Sequence, residues 1–159
     1  MPTGFLSHLD MSVGFPARSI PFYEALLTTL GYLRWREPDD AWQEPNPTRA
    51  AWGVAYPDGT TFGIDLRPAR ADSRDRKYDR FEPGPHHVAF QAADRATVDR
   101  VHRAMGALGA EVLDAPMDYG GQVGYGDSYY AVFFADPDNV KLEVVSVAPA
   151  DAQGVERDQ

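Results

Sequence analysis

Two histidines and two carboxylates stand at matching places in the two halves of this 159-residue sequence. His87 follows His8 by 79 residues, and Glu143 follows Asp65 by 78. Such a twofold internal repeat predicts a pseudo-symmetric domain, in which an approximate twofold axis brings equivalent residues together. Two imidazoles and one or two carboxylates near such an axis form a donor set for a divalent metal ion. The repeat therefore predicts a metal site.

The order of predicted elements is also the same in both halves. Alternating polar and apolar residues predict a first strand, and an apolar stripe at helical spacing predicts a helix after it. In chain order these elements are the strand 6–13, the helix 16–30, the strand 86–92 and the helix 95–108. Three short strands follow each helix, near 32–36, 50–56 and 61–67, and near 111–114, 129–135 and 139–147. The sequence therefore predicts an α+β domain built from two β-α-β-β-β modules.

Caps and turns give the expected boundaries of these elements. Ser19 is the predicted N-cap of the first helix, which would place Pro21 in its first turn, and Asp94 is the predicted N-cap of the second. Asp58 and Asp136 lie in predicted turns and again stand 78 residues apart. The Leu-Gly pairs that end the two helices, at residues 30–31 and 108–109, share this spacing.

The predicted domain spans residues 1–148. Its parts are a first module at 5–67, an Arg-, Asp- and Pro-rich linker at 68–84, a second module at 85–148 and a polar tail at 149–159. Two loops interrupt the modules, a Trp- and Pro-rich one at 37–48 and a Gly- and Tyr-rich one at 118–128. The composition of the second loop suits a flap near a pocket or an ordinary surface loop.

Strand parity tests whether the four candidate ligands share a face. Successive side chains of a strand point to opposite faces, so the apolar neighbours of each candidate must cover the helix. By this rule His8, Asp65, His87 and Glu143 all lie on the face away from the helix. His86 has the opposite parity and is the weaker candidate of its pair. For Asp65 an arginine such as Arg67 is an alternative partner, because an unpaired buried carboxylate is costly.

Bulk composition excludes several classes of function. A net charge of −9 argues against a nucleic-acid surface, which needs a basic face. The absence of cysteine excludes disulfides, thiolate nucleophiles and sulfur ligands, so a metal site must use imidazole, carboxylate and water. With no signal pattern and no apolar run of membrane-spanning length, we expect a cytoplasmic protein that does not bind membranes. Exposed edge strands favour a homodimer.

Several strings of the sequence resemble a known family. They are SHLDMSV at 7–13, FYE at 22–24, HHVAF at 86–90 and YYAVFFADPD at 129–138, which runs into Leu142-Glu143. Together they resemble the vicinal oxygen chelate superfamily, which contains glyoxalase I, extradiol dioxygenases, methylmalonyl-CoA epimerase, and fosfomycin and bleomycin resistance proteins. The resemblance covers about residues 5–147. Its motifs are specific for the superfamily and weak for any one member.

The resemblance implies a fold and a set of ligands. The fold would be an eight-stranded cup, formed by paired β-α-β-β-β modules around one divalent ion of Ni, Zn, Mn, Co or Fe. His8, His87 and Glu143 match the usual three ligands. Asp65 stands where glyoxalase I-like members carry a fourth ligand, normally Glu, so the shorter side chain leaves four-ligand coordination open.

Three functions remain open at this stage, all acting on a small molecule. The first is a glyoxalase I-like lyase or isomerase, in which the metal polarises vicinal oxygens and Glu143 is the better base. Its substrate-binding candidates are Arg49 and Arg67, which could anchor carboxylates. The second is an extradiol-type dioxygenase with non-haem iron, for which Tyr129 or Tyr130 would supply a tyrosine. The third is a small-molecule-binding resistance protein, which needs no metal ligands.

Overall fold

A computed structural model of the chain describes residues 6–35 and 48–149. It divides into two compact units, with the division between Lys77 and Tyr78. The first unit contains β1 (His8–Val13), α1 (Pro16–Thr29), β2 (Leu33–Arg34), β3 (Ala50–Ala55) and β4 (Thr61–Pro68). The second contains β5 (Val88–Gln91), α2 (Arg95–Ala107), β6 (Glu111–Asp118), β7 (Tyr130–Ala135) and β8 (Lys141–Ser146). The predicted α+β class and the β-α-β-β-β order of each module are confirmed. The loop predicted at 37–48 lies almost wholly outside the described residues, as does the tail beyond 149.

Each unit contains one mixed four-stranded sheet with the same topology. The strand order is β1-β4-β3-β2 in the first unit and β5-β8-β7-β6 in the second. The first strand of each module runs parallel to the last, and the remaining pairs are antiparallel. A parallel pair needs a crossover connection, which the helix after the first strand begins. Asp65 and Glu143 therefore lie on the central strands β4 and β8, whereas His8 begins the edge strand β1.

In the first unit, burial alternates along the strands as parity predicts. Val13, Ile64 and Leu66 are buried, whereas His8 at the start of β1 is exposed. The helix α1 contributes the buried side chains Tyr23, Leu26 and Leu27 to the same core. Since one face of the sheet packs on the helix, the polar residues of β1 and β4 occupy the other face.

The second unit has a larger buried core. The helix α2 packs against β6, β7 and β8 and buries Val98, Val101 and Met105. From the sheet, Leu142 and Val144 are fully buried on either side of Glu143 in the sequence. Because neighbouring side chains of a strand alternate, Glu143 lies on the face away from α2.

The start of α1 differs from the prediction. The helix begins at Pro16, with Phe15 in the N-cap position, so the assignment of Ser19 as the cap is wrong. Proline at the first helical position is preorganised by its fixed φ and needs no amide donor there. Ser19 is instead buried in the helix, and Pro21 lies inside it rather than in its first turn. The ring of Pro21 removes the donor that Ala17 would otherwise accept from.

The other predicted helix ends are confirmed. The side chain of Asp94 accepts a hydrogen bond from the backbone N–H of Thr97 at 2.6 Å and caps α2. Gly31 and Gly109 follow the last residues of the two helices with φ of 89° and 70°, respectively. This left-handed conformation carries little penalty in glycine and ends each helix.

The hairpin turns show where the repeat is inexact. Asp136 directly follows the last paired residue of β7, Ala135, whereas Asp58 lies three residues after Ala55. The 78-residue spacing of the two aspartates therefore does not make them structurally equivalent. Both nevertheless stabilise their turns, since each accepts a hydrogen bond from the backbone N–H two residues later.

Candidate functional site

Glu143 is a buried carboxylate in the middle of β8. It pairs with Phe133 of β7 and Ala89 of β5, and it is only 2% exposed. Its Oε1 accepts a hydrogen bond from the hydroxyl of Tyr129 at 2.5 Å. Its Oε2 lies 3.1 Å from Nε2 of His87. Both oxygens of the carboxylate therefore have a partner within the second unit.

The two partners of Glu143 carry no permanent charge. Burying a carboxylate without charge compensation is costly, so this group is suited to a bound cation or a shared proton. Burial raises the pKa of Tyr129 well above its ordinary value, and the hydrogen bond to Glu143 raises it further. The phenol therefore stays protonated and keeps donating to the carboxylate.

The neighbouring histidines are also coupled. Nδ1 of His86 lies 2.9 Å from Nδ1 of His87, so one ring donates a hydrogen bond and the other accepts it. Burial lowers the pKa of His86, as do the nearby charges of His87, Lys141 and Arg80. With its Nδ1 held by His86, His87 presents its Nε2 to Glu143. The arrangement gives His86 the position of a neighbour that orients His87.

Tyrosine rings surround Glu143 on this face of the sheet. The ring centroid of Tyr125 lies 4.6 Å from that of Tyr129 and 5.4 Å from that of Tyr119, which also packs edge-on against Phe133. Tyr119 and Tyr125 belong to the loop that was predicted at 118–128. Backbone hydrogen bonds close this loop, from Tyr119 N to Tyr129 O at 2.7 Å and from Gly121 N to Gly126 O at 2.9 Å.

Tyr130 has a different environment from its neighbour. Its hydroxyl donates a hydrogen bond at 2.9 Å to Oδ1 of Asp99, a residue of α2. Tyr130 therefore lies on the helix side of the sheet, and Tyr129 is the one that joins Glu143. Parity accounts for the division, because consecutive side chains at the start of a strand point to opposite faces.

In the first unit, His8 and Asp65 lie on adjacent strands. His8 pairs with Gly63, and Asp65 pairs with Asp10 of β1 and Ala51 of β3. The two predicted ligands thus project from the same face, two residues apart in the register.

Asp65 has cationic neighbours. Nη2 of Arg49 lies 3.5 Å from its Oδ2, and Nε of Arg67 lies 3.7 Å from its Oδ1. Arg67 also forms a closer pair with Asp10, at 2.7 Å. Within the described residues, Oδ1 of Asp65 is buried and accepts no hydrogen bond. Both arginines that were predicted to bind substrate are thus paired with carboxylates, and Arg67 is the alternative partner that the sequence suggested for Asp65.

Trp35 was not predicted as part of any site. Its indole ring lies against Gly53 of β3, so closely that a Cβ atom added there would stand 2.1 Å from the ring. The same ring reaches Gly63 of β4, the residue paired with both Gly53 and His8. The available sequence signal was a glycine in each of two adjacent predicted strands, which indicates close approach of another group.

Each unit contains candidate metal ligands of its own. Over residues 6–35 and 48–149, neither unit contains three His, Asp or Glu side chains close enough together to hold a metal ion. The second unit brings together His87 and Glu143, and the first carries His8 and Asp65 on neighbouring strands. Each unit by itself therefore offers two candidate ligands.

A family model for the Glyoxalase/Bleomycin resistance protein/Dioxygenase superfamily matches residues 5–144. The chain belongs to this superfamily. The match includes His8, Asp65, His87 and Glu143, and it agrees with the resemblance seen in the sequence.

The chain is also similar to individual proteins. The uncharacterized protein YqjT of Bacillus subtilis (strain 168) is 27% identical over 142 residues, which is 89% of this chain and 98% of that protein. A glyoxalase/bleomycin resistance protein from Albidiferax ferrireducens T118 is 25% identical, with a TM-score of 0.60 over 89% of this chain and 98% of that one. A glyoxalase/dioxygenase from Nostoc punctiforme is 19% identical, with a TM-score of 0.62 over 91% and 92%. The two solved structures share the fold of the present chain.

Neither α1 nor α2, the helices of the described ranges, is long and apolar enough to cross a membrane.

Proposed function

We propose that this protein is a divalent-metal-dependent lyase or isomerase that acts on a small molecule with two adjacent oxygens. The observation that carries the proposal is the state of Glu143. A carboxylate that is 2% exposed, held by a phenol and an imidazole, is suited both to bind a cation and to move a proton.

The geometry of His87 and Glu143 fits a shared metal ion. Two ligand atoms about 2.1 Å from one ion, at an angle of about 90–110°, lie about 3.0–3.4 Å from each other. Nε2 of His87 and Oε2 of Glu143 are 3.1 Å apart. An imidazole and a carboxylate suit Ni, Zn, Mn, Co or Fe. His8 is the third ligand in this proposal, as the family resemblance implies, and an ion bound there would polarise the two substrate oxygens.

Glu143 performs the proton transfer in this proposal. Its carboxylate takes a proton from the hydroxyl-bearing carbon next to a substrate carbonyl and returns it to the carbonyl carbon, while the hydroxyl proton moves to the former carbonyl oxygen, so the substrate is isomerised with no net change in composition. Tyr129 keeps the carboxylate in one orientation through the hydrogen bond to Oε1. The aromatic rings of Tyr119 and Phe133 shield this face of the sheet from water.

Asp65 is assigned a different role. Its charge is compensated by Arg49 and Arg67. Asp65 is therefore not one of the three protein ligands proposed for the metal. The arginines then hold Asp65 and Asp10 in place, and they do not anchor a substrate carboxylate.

Metal analysis and isotope exchange together test the proposal. The full-length protein is loaded in turn with Ni, Zn, Mn, Co and Fe, and the bound metal is measured by elemental analysis. Each form is then incubated with hydroxyacetone in deuterium oxide, and proton NMR follows exchange next to the carbonyl. We expect about one ion per chain and exchange that Glu143→Gln abolishes, whereas Asp65→Asn, the matched change in the other module, retains it.

Two results would contradict the proposal. A wild-type chain that folds but binds none of these metals would favour a small-molecule-binding protein without a metal. Oxygen consumption with catechol and ferrous iron, with no proton exchange under any metal, would favour the extradiol-type dioxygenase.

A further inference from the structure

The indole of Trp35 packs against a pair of glycines on adjacent strands. A Cβ added at Gly53 would stand 2.1 Å from both Cε2 and Cζ2 of the ring, and one added at Gly63 would stand 3.0 Å from Cη2. Gly53 and Gly63 are register partners in β3 and β4. The six-membered ring of the indole therefore bridges the two strands with one face against their backbones.

The other face of this ring is open. Trp35 is 51% exposed although one side of its indole is covered by glycine backbone, so the accessible area belongs to the opposite face and the ring edge. Its backbone N–H donates to the carbonyl of Ala51 at 2.9 Å, which fixes the residue at the end of β2. A large, open and anchored aromatic face is a surface on which another flat ring can stack.

The open face lies beside a predicted metal ligand. His8 of β1 is the register partner of Gly63, and parity puts its side chain on the same face of the sheet as Trp35. A molecule stacked on Trp35 would therefore have its substituents next to His8.

The second module has no equivalent of this glycine pair. Gly63 stands two residues before Asp65, and the corresponding residue before Glu143 is Lys141, which pairs with Ala135. Both of these residues carry side chains, and Nζ of Lys141 lies over the ring of Phe133 at 4.1 Å. The glycine pair is therefore specific to the first module, where it accommodates Trp35.

We propose that Trp35 is a stacking platform for a flat, unsaturated ring of the substrate, placed so that the substrate's adjacent oxygens lie next to His8. The proposal rests on the proposed function for the role of His8. A single flat indole suits a planar ring better than a compact cation, which is usually enclosed by several aromatic rings.

A matched pair of probes tests the platform. Mandelate and hexahydromandelate share a hydroxyl next to a carboxylate and the same charge, and they differ in having a flat or a saturated ring. Nitrogen-15 NMR of the full-length protein follows the indole N–H signals of its three tryptophans during titration. We expect mandelate to bind about 3- to 10-fold more tightly and to shift the Trp35 signal. The signal of Trp52, which is buried and donates to Glu24, serves as the internal reference.

Two variants identify the ring that is responsible. Trp35→Leu should make the two probes bind equally. Gly53→Ala keeps the tryptophan but displaces its ring from the two strands, and it should also reduce the preference for mandelate. Gly106→Ala is the matched control, because a Cβ there would contact nothing and the preference should persist.

Different results would contradict the stacking platform and the proposed function. Equal binding of both probes to the wild type, or a preference that survives in Trp35→Leu, overturns the platform even where metal-dependent exchange is observed. A preference that is present in the metal-free protein and lost in both Trp35 and Gly53 variants supports the platform, even where no metal-dependent activity is found.

Discussion

Glu143 and Asp65 occupy corresponding places in two modules of the same topology, yet their surroundings differ. Glu143 is 2% exposed and contacts a phenol and an imidazole, those of Tyr129 and His87. The side chain of Asp65 is 27% exposed and lies near the guanidinium groups of Arg49 and Arg67. One module thus pairs its carboxylate with a phenol and an imidazole, and the other pairs its carboxylate with guanidinium groups.

The difference shows how a repeated fold can divide its functions. A carboxylate near two guanidinium groups already has its counter-charge, and it gains little from a metal ion or a proton. A carboxylate that is buried beside a phenol and an imidazole has no guanidinium partner of this kind, and it is available for both. In our proposal the second module, which contains Glu143, is therefore the candidate for the proton transfer.

The largest expected effect is on proton transfer. Changing Glu143 to Gln removes the group that accepts the proton in our proposal, and we expect the exchange rate to fall by about 10²- to 10⁴-fold. The same change at Asp65, to Asn, should alter the rate by less than about 10-fold, because this residue has no part in the proton transfer. Proton NMR in deuterium oxide measures both rates. Equal losses in the two variants would show that the modules are not divided in this way.

Metal affinity should separate the adjacent histidines. His87→Ala removes a ligand of the proposed metal site, so we expect no bound metal. His86→Ala removes only the contact at Nδ1 and should weaken affinity about 10- to 100-fold. His102 of α2 provides a control, since His102→Ala should leave affinity unchanged. Competition with a chromogenic chelator measures all three. Full occupancy in His87→Ala would mean that His87 is not a ligand.

The sequence was a good guide to features set by local patterns. Period-2 alternation and helical stripes predicted both modules, and parity placed Glu143 opposite its buried neighbours Leu142 and Val144. Asp94 could be recognised as a cap because its bond to Thr97 is local. Ser19 could not be excluded, since Pro16 and Ser19 are both acceptable near a helix start.

Features that depend on packing between distant segments were not predictable. The local sequence does not show which of Tyr129 and Tyr130 faces the helix. In the structure β7 begins at Tyr130, and it is this ring that faces α2. Trp35 contacts Gly53 and Gly63, which lie 18 and 28 residues further along the chain, so no local pattern predicts the contact. Of the two cationic neighbours of Asp65, Arg67 was suggested by the sequence because it lies two residues along the same strand, whereas Arg49 belongs to a distant segment and was not predicted as a partner of Asp65.

Stability should reveal how much Glu143 depends on its phenol partner. Tyr129→Phe leaves a buried carboxylate oxygen without its donor, and we expect a loss of about 1–3 kcal/mol in the free energy of unfolding. Tyr130→Phe, which removes the bond to Asp99, should cost less, about 0.5–1.5 kcal/mol. Urea denaturation at neutral pH measures both. A larger loss in the Tyr130 variant would contradict the special position of Glu143.

The pH dependence of this stability has a definite sign. The pKa of Tyr129 is raised in the folded protein by burial and by Glu143, so the folded state holds the phenol proton more tightly than the unfolded state does. Its contribution is therefore complete below the ordinary tyrosine pKa of about 10 and is lost as the pH rises above it. The Tyr129→Phe variant should show a smaller alkaline loss than the wild type.

The smallest effect is expected at the ion pairs of the first module. Arg67 is half exposed, and an exposed ion pair contributes only about 0.2–1 kcal/mol because water and salt screen it. Arg67→Gln should therefore lower the free energy of unfolding by less than about 1 kcal/mol, and the difference from wild type should shrink as salt is added. Combining it with Asp65→Asn in a double-mutant cycle measures the coupling between the two residues, which lie 3.7 Å apart at their nearest charged atoms. A coupling of several kcal/mol that resists salt would show that Asp65 depends on its cation as strongly as Glu143 depends on Tyr129 and His87. The first module would then contain a second tightly held carboxylate rather than a compensated one.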